Sequence, residues 1–484
     1  MNQYIILFII AAYFGVLLLI ARLTTRKNNG NEAFFLGNRK SPWPIVAFGM
    51  IGTSISGVTF VSVPGMVRSI DMTYMQTVFG FFVGYVVIAN VLLPLYYKLN
   101  LTSIYTYLDE RIGRRSYKTG ASFFLLSKIV GAAARLYLVA LILQTFVFDR
   151  WGVPFVLTVT GTIALIWLYT FRGGVKTIIW TDALQTLCLL AMLVVIVWEI
   201  KSKLGLDTAG MVHTIVRNEH FRIFEFSDWF STQNFFKQFF SGIFITIVMT
   251  GLDQDMMQKN LSCRNLKDAQ KNMYLYGFAF TPVNFLFLCL GILLLVLAAR
   301  DGIALPALND DILPMFATSG MLGSGLLVFF TIGIIAAAFS SADSALTALT
   351  TSFCIDLLGI DAQKEKEAKK TRLRVHFFIS LLFAVIILII KAVNTRSIID
   401  AIYILAGYTY GPLLGLYVFG LFTTLRPRDK YVPYICVASP LLCLLLDGTV
   451  YAATGYKFGY EMLMVNGAIT FCGLWMVSSK RINK

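Results

Sequence analysis

Apolar runs of about 20 residues, each long enough to cross a bilayer as a helix, recur along almost the whole chain. They lie near 4–22, 42–68, 74–97, 119–148, 153–171, 175–199, 234–256, 273–299, 321–358, 373–392, 397–422, 431–453 and 458–478, and predict roughly thirteen membrane helices. Two runs depart from plain apolarity. Residues 321–358 turn hydroxyl-rich midway, and Ala337, Ser340, Ser341 and Ser344 fall at i, i+3, i+4 and i+7, so they share one helical face. Asp343 flanks that face, and Thr347, Thr350 and Thr351 extend its polarity. Such groups are expensive in hydrocarbon and normally face a bundle interior, a water-filled cavity or an ion. An oxygen-only set with a carboxylate suits a hard cation. The competing reading is small residues for close helix packing, each hydroxyl bonded back to its own helix.

The second unusual run is 41–69, where Gly49, Gly52, Gly57, Pro64 and Gly65 interleave with Thr53, Ser54, Ser56 and Thr59. That composition makes a weak continuous helix. Broken helices at membrane depth are tolerated where they line a cavity, and their freed carbonyls bind cations or substrate. The plainer account is that Gly and Pro are common in membrane helices.

Composition agrees with the spans: 57% of residues are hydrophobic and 14% charged, where a soluble domain carries roughly a quarter charged residues. The net charge of +15 sits in short loops between spans, which topology explains better than a nucleic-acid partner. The first run has no basic residue before it and Arg22, Arg26 and Lys27 after it, so it is expected to be a retained helix with its N-terminus outside. The cytoplasmic groups are then Arg39 and Lys40; Arg111, Arg114, Arg115 and Lys118; Arg172 and Lys176; Lys259, Arg264, Lys267 and Lys271; the run QKEKEAKKTRLR at 363–374; Arg426, Arg428 and Lys430; and Lys480, Arg481 and Lys484, which puts the C-terminus inside. Residues 69–73 carry no Lys or Arg, and 300–320 set Asp301, Asp310 and Asp311 against Arg300. The one long outward segment, 202–233, is too short for a separate domain, so the chain reads as a single domain, 1–484.

Enzymatic chemistry finds no support. The seven cysteines show no paired spacing, and no phosphate-binding glycine loop, nucleophile elbow or metal-protease helix occurs. His213, His220 and His376 fall in or near loops and read as solvated. Asp182, an acid inside an apolar span, is a functional candidate by default, with Lys176 or Arg172 as its structural partner otherwise. Arg135, inside another apolar run, suits bidentate reading of a carboxylate or, equally, an ion pair with Asp253, Asp255 or Asp182. Lys128, two turns earlier, is expected to snorkel to the cytoplasmic interface.

Several segments in order resemble the sodium:solute symporter family, which includes sodium/galactose, sodium/proline and sodium/sialic acid symporters. They are GTSISGVTF (52–60), NLTSIYTYLDERIG (100–113), FRGGVKTIIWTDALQ (171–185), GLDQDMMQKNLSCRNLKDAQK (251–271), AAAFSSADSAL (336–346) and GPLLGLYVFGLF (411–422). The resemblance implies an all-α polytopic membrane protein of the LeuT type: an extra helix at 4–22, inverted five-helix repeats at 42–199 and 234–422, and C-terminal helices at 431–478. It implies a sodium ion held by backbone oxygens of Gly52, Ile55 and Ala337 and the hydroxyls of Ser340 and Ser341. The sialic acid branch adds a further site, which maps to Asp182, Ser340 and Ser344; Asp343 stands where that branch has a hydroxyl, and either strengthens the site or couples protons. Substrate contacts map to Ser54, Ser56 and Thr59 in the broken helix and to Asp253 and Gln254 in GLDQD. The branch's glutamine position falls near Val78, with Gln76 close by, and its arginine position falls at Gly131, one turn before Arg135.

The resemblance therefore implies a sodium-coupled symporter importing a small polar organic solute (a sugar, an acidic sugar such as sialic acid, or a carboxylate) with one or two sodium ions. It would sit in the plasma (inner) membrane in contact with lipid, with no nucleic acid and no obligatory protein partner. The alternatives are a proton-coupled carrier using Asp182 and Asp343, or a transporter-like membrane sensor.

Overall fold

Helices α1 (Gln3–Thr25), α2 (Trp43–Ser54), α3 (Gly57–Ile70), α4 (Tyr74–Val87) and α5 (Arg114–Leu143) occupy the first third of the chain. They are followed by α6 (Phe155–Phe171), α7 (Gly174–Leu204), α8 (Phe235–Thr246), α9 (Gln254–Leu261) and α10 (Leu266–Asp301). Then come α11 (Leu326–Ser352), α12 (Glu365–Val393), α13 (Ile398–Phe422), α14 (Val432–Thr454) and α15 (Met462–Met476). This computed structural model describes residues 3–25, 30–323, 325–360, 365–393 and 398–479; Arg26, Lys27, Lys364, Lys480, Arg481 and Lys484, assigned above to the cytoplasmic side, lie outside the described residues.

Among the described residues, nine helices are long and apolar enough to cross a membrane, and two bent pairs add broken spans. The bends are 58° between α2 and α3 and 64° between the α8 segment and α9. At the first, Ile55 (φ −79°, ψ 76°) ends α2 and Ser56 (φ −70°, ψ 168°) opens α3, so two residues leave the helical region. At the second, a π-helical turn over Ile247–Gly251 gives way to Asp253 in extended conformation, whose carboxylate caps α9 by accepting from the Asp255 N–H at 2.9 Å.

Small residues set how closely the broken helix approaches its neighbour. A Cβ on Gly52 would stand 2.1 Å from the Thr186 hydroxyl, and one on Gly49 would stand 2.9 Å from Asp182 Cβ, so α2 lies directly against α7. Helix α7 starts at Gly174, whose φ of 50° and ψ of −140° turn the chain sharply out of α6. Helix α11 is the centre of the bundle, with every residue from Gly333 to Ser352 buried. Peripheral α14 is the opposite: Leu441, Leu442, Leu444 and Leu445 are all exposed, as a lipid-facing surface requires.

Two expectations are corrected here. His376 is buried, with its ring nitrogens 3.0 Å from the Thr170 hydroxyl and 2.9 Å from that of Thr350. The charged run that suggested a loop is already the first turns of α12, and its inner face packs inward, with Arg372 donating to Asn31 at 2.9 Å. Gln76, in α4, ties that helix to the 202–233 segment: its amide donates to the carbonyls of Thr73 and Gln233, and its Oε1 accepts from the Glu225 N–H at 3.0 Å. In that segment the Ser227 hydroxyl and N–H, with Arg222 beyond them, hold the Glu225 carboxyl below the usual range.

Candidate ion and solute site

The break at 54–56 and the hydroxyl face of α11 meet. Ser341 Oγ lies 3.2 Å from both the Ala337 carbonyl of its own helix and the Thr53 carbonyl of α2. The last carbonyls of α2 have no further turn to bond to, and Thr53 brings its carbonyl to Ser341 Oγ and its hydroxyl to within 3.2 Å of Ser340 Oγ. This donor set is all oxygen and uncharged. It fits a hard monovalent cation, and a broken transporter helix facing a hydroxyl-bearing one is the arrangement that supplies such ligands.

Beside it lies a charged knot. Asp182 is fully buried on α7; its Oδ1 accepts from Ser340 Oγ at 2.6 Å, and its Oδ2 lies 2.7 Å from Lys259 Nζ, 3.1 Å from Thr53 Oγ1 and 3.3 Å from Ser344 Oγ. Lys259 Nζ also donates to Thr53 Oγ1 at 2.6 Å. Four elements, α2, α7, α9 and α11, thus converge on one carboxylate. Lys259, counted above among cytoplasmic loop cations, is instead a buried side chain of α9. After the break at Leu252 and Asp253 the run is helical again from Gln254 inside the protein, which a hydropathy pattern interrupted by Asp253, Asp255 and Lys259 conceals. Asp343 points elsewhere, accepting from the Tyr169 hydroxyl of α6 at 2.8 Å.

A partly open polar cavity of about 100 Å³ lies next to these groups. Thr53 and Ser54 form one wall, Thr409 and Tyr410 of α13 another, and Lys128 and Arg135 of α5 reach in with Asp253 and Asp255. Lys128 does not snorkel. It is buried, with Nζ 3.1 Å from both Asp253 oxygens and 2.8 Å from Asp255 Oδ2, because these acids at the start of α9 face it across the cavity. Tyr410 OH donates to Asp253 Oδ2 at 2.8 Å. Arg135 makes no ion pair within 4 Å among the described residues, although pairs with Asp253, Asp255 and Asp182 were all conceivable from sequence.

Of the sequence-derived substrate residues, Ser54, Arg135 and Asp253 line this cavity. Ser56, the N-cap residue of α3, and Thr59, in its first turn, are buried and do not line it. Gln254 clamps the 102–104 turn, donating to the Thr102 carbonyl and accepting from the Ile104 N–H. The residues that sequence reasoning missed are Lys128, Lys259 and Tyr410. The i, i+4 spacing of Asp255 and Lys259 was the available signal that both lie on one helical face.

A bundle with two broken spans, the first meeting a hydroxyl-bearing central helix beside a polar cavity, has the architecture of an ion-coupled secondary transporter. The pattern of the sodium:solute symporter family matches residues 34–426, and the chain belongs to that family. It is 26% identical to the sodium/sialic acid symporter NanT of Aliivibrio fischeri, over 87% of this chain and 83% of that one. Against the sodium/sialic acid symporter SiaT of Proteus mirabilis the figures are 27%, 87% and 84%. The sodium-dependent multivitamin transporter of Oryctolagus cuniculus is 27% identical, over 80% of this chain and 61% of that one. In fold, the chain superposes on a substrate-bound, outward-open sodium-coupled sialic acid symporter with a TM-score of 0.83 at 20% identity, covering 99% of each. A closed nucleobase-cation-symport-1 transporter, Mhp1, gives a TM-score of 0.55 at 15% identity, over 92% of this chain and 93% of that one. The protein is an integral-membrane sodium-coupled solute symporter of LeuT-type fold, and its activity is transport rather than catalysis.

Proposed function

We propose that the chain imports a small carboxylate-bearing polar solute, of the sialic acid kind, by alternating access. The observation that carries this reading is Arg135, a guanidinium at the cavity wall with no ion pair among the described residues, while Lys128 beside it is matched by two carboxylates. A solute carboxylate would supply the missing bidentate partner, and Ser54, Thr409 and Tyr410 would meet its hydroxyls. The names of two sialic acid symporters similar to it in sequence support the same class. Sodium would bind first to the oxygens of Gly52, Ile55, Ala337, Ser340 and Ser341, joining α2 to α11, with a second ion at Asp182, Ser340 and Ser344 and Asp343 near its flank. Asp253 would position Lys128 for the solute; Ser56, Thr59, Gln76 and Gln254 would act as supports of the framework.

In the same reading, residues 42–199 and 234–422 are the inverted repeats, each opened by a broken span with a similar bend, 58° and 64°. The N-terminus lies outside and the C-terminus inside a plasma (inner) membrane, as the loop cations imply. No obligatory protein partner is part of this reading.

Uptake into proteoliposomes under an inward sodium gradient tests this, with labelled sialic acid, neutral sugars, proline and simple carboxylates as the panel and potassium as control. Sodium-driven accumulation of a carboxylate that Arg135→Gln abolishes is the expected result. Accumulation of neutral sugars alone, or indifference to Arg135→Gln, overturns the solute class. Accumulation driven by a proton gradient without sodium would move coupling to Asp182 and Asp343.

A further inference from the structure

Lys259 sits between two regions that the proposed cycle must connect. Its Nζ is 2.7 Å from Asp182 Oδ2 in the ion knot and 3.9 Å from Asp255 Oδ1, which faces the solute cavity. Asp255 in turn holds Lys128 at 2.8 Å through its other oxygen. All of these side chains are buried, so their charges act on one another with little screening. The Asp182 carboxylate is fully engaged: Oδ1 holds Ser340, and Oδ2 is shared by Lys259, Thr53 and Ser344. A sodium ion entering there meets an ammonium already in possession of the same oxygens.

We propose that Lys259 is a tethered cation that relays sodium binding to the solute cavity. Without sodium, its ammonium neutralises Asp182. When sodium takes the Asp182, Ser340 and Ser344 oxygens, like-charge repulsion moves Lys259 Nζ the short distance to Asp255, its i, i+4 neighbour on α9. Asp255 then serves Lys259 instead of Lys128, and Lys128, left with one carboxylate, Asp253, in place of two, makes the field that it and Arg135 set in the cavity more positive. An anionic solute binds more tightly for that reason, and by reciprocity a bound anion favours sodium. Lys259 touches neither transported species in this scheme; it is a positioning residue. The relay rests on the second sodium position and the anionic solute proposed above.

The test uses the purified full-length protein, with ²²Na binding measured by scintillation proximity. The affinity of the sialic acid N-acetylneuraminate is measured by calorimetry with sodium and with potassium in its place. Removing the competing ammonium with Lys259→Met should tighten ²²Na binding by about tenfold and reduce the sodium-induced gain in solute affinity, typically about 5–150-fold in coupled systems, to under about twofold. Asp255→Asn, which leaves the Asp182–Lys259 pair intact and keeps the protein testable if Lys259→Met does not fold, removes the acceptor of the displaced ammonium and should weaken ²²Na binding and lose the same coupling. A merely structural lysine predicts weaker sodium binding in Lys259→Met, and that result, or full coupling in Asp255→Asn, overturns the relay. Wild-type protein that binds ²²Na but no N-acetylneuraminate would refute the solute assignment and leave the Lys259→Met ²²Na comparison to decide the relay. Wild-type protein that binds no ²²Na would overturn both.

Discussion

The two broken spans occupy comparable places and carry opposite chemistry. From 43 to 67 the first has no charged residue, and its break offers only backbone and hydroxyl oxygens. The second places Asp253, Asp255 and Lys259 within the turns after its break. An uncharged oxygen cage can hold a small cation firmly enough to load it and weakly enough to release it. A buried carboxylate or ammonium needs a permanent partner, and the second break has such partners in Lys128 from α5 and Asp182 from α7. On the proposed reading, the contrast separates a place for an ion in transit from a set of resident charges that respond to it.

The strongest way to break this contrast is to unbalance the resident charges. Asp182→Asn leaves the Lys259 ammonium buried without its counter-charge, a loss of roughly 3–5 kcal/mol when one member of a buried pair is removed. Thermal unfolding in detergent should show a large fall in midpoint, and sodium-driven uptake should disappear. An unchanged midpoint would mean that Lys259 relaxes to Asp255 without penalty. Gly52→Ala comes next. Its Cβ would stand 2.1 Å from Thr186 Oγ1, and overpacking of that kind costs about 1–3 kcal/mol. Because the strain falls at the first break, the half-saturating sodium concentration should rise together with the loss of stability; stability loss alone would detach Gly52 from the ion cage.

Much of the first break was legible in the sequence and little of the second. Gly49, Gly52 and the hydroxyls around Ile55 announce a weak helix by composition, and Ser340, Ser341 and Ser344 announce a polar face by spacing alone. Their meeting, through Ser341 and the Thr53 carbonyl, joins two patterns that each stood out locally. The roles of Lys128 and Lys259 depend instead on acids 125 and 77 residues away along the chain, Asp253 and Asp182 respectively. Pairwise charge complementarity leaves no local periodicity, so Lys128 read as a snorkelling residue and Lys259 as a loop cation. His376 failed for a related reason: a helix that begins among charges looks like a loop until its inner face is packed.

Gln76 tests the boundary between site and framework. Its amide and carbonyl join α4 to the 202–233 segment through Thr73, Gln233 and Glu225. Leaving those buried groups unpaired in Gln76→Ala should cost about 1–3 kcal/mol. Unfolding should move while the half-saturating concentrations for sodium and solute stay where they are. A selective rise in the solute value would return Gln76 to the substrate contacts implied by resemblance.

The finest test is Ser341→Ala. The hydroxyl bridges Ala337 and Thr53 across the junction of α11 and α2, and one such hydrogen bond contributes only about 0.5–1.5 kcal/mol net. Stability should therefore change little. For the ion the loss is of a different kind, because a ligand disappears from a cage that has no carboxylate to compensate. The half-saturating sodium concentration should rise by several-fold to about tenfold, the change that about 1.4 kcal/mol of lost binding produces. Solute affinity measured at saturating sodium should stay near wild type, since Ser341 would act on solute only through the bound ion. If Ser341→Ala instead weakens solute binding at every sodium concentration, the hydroxyl faces the solute, a possibility its place on the cavity wall keeps physically available. The first break would then be part of the solute site as well as an ion cage, and its chemical separation from the second break would fail.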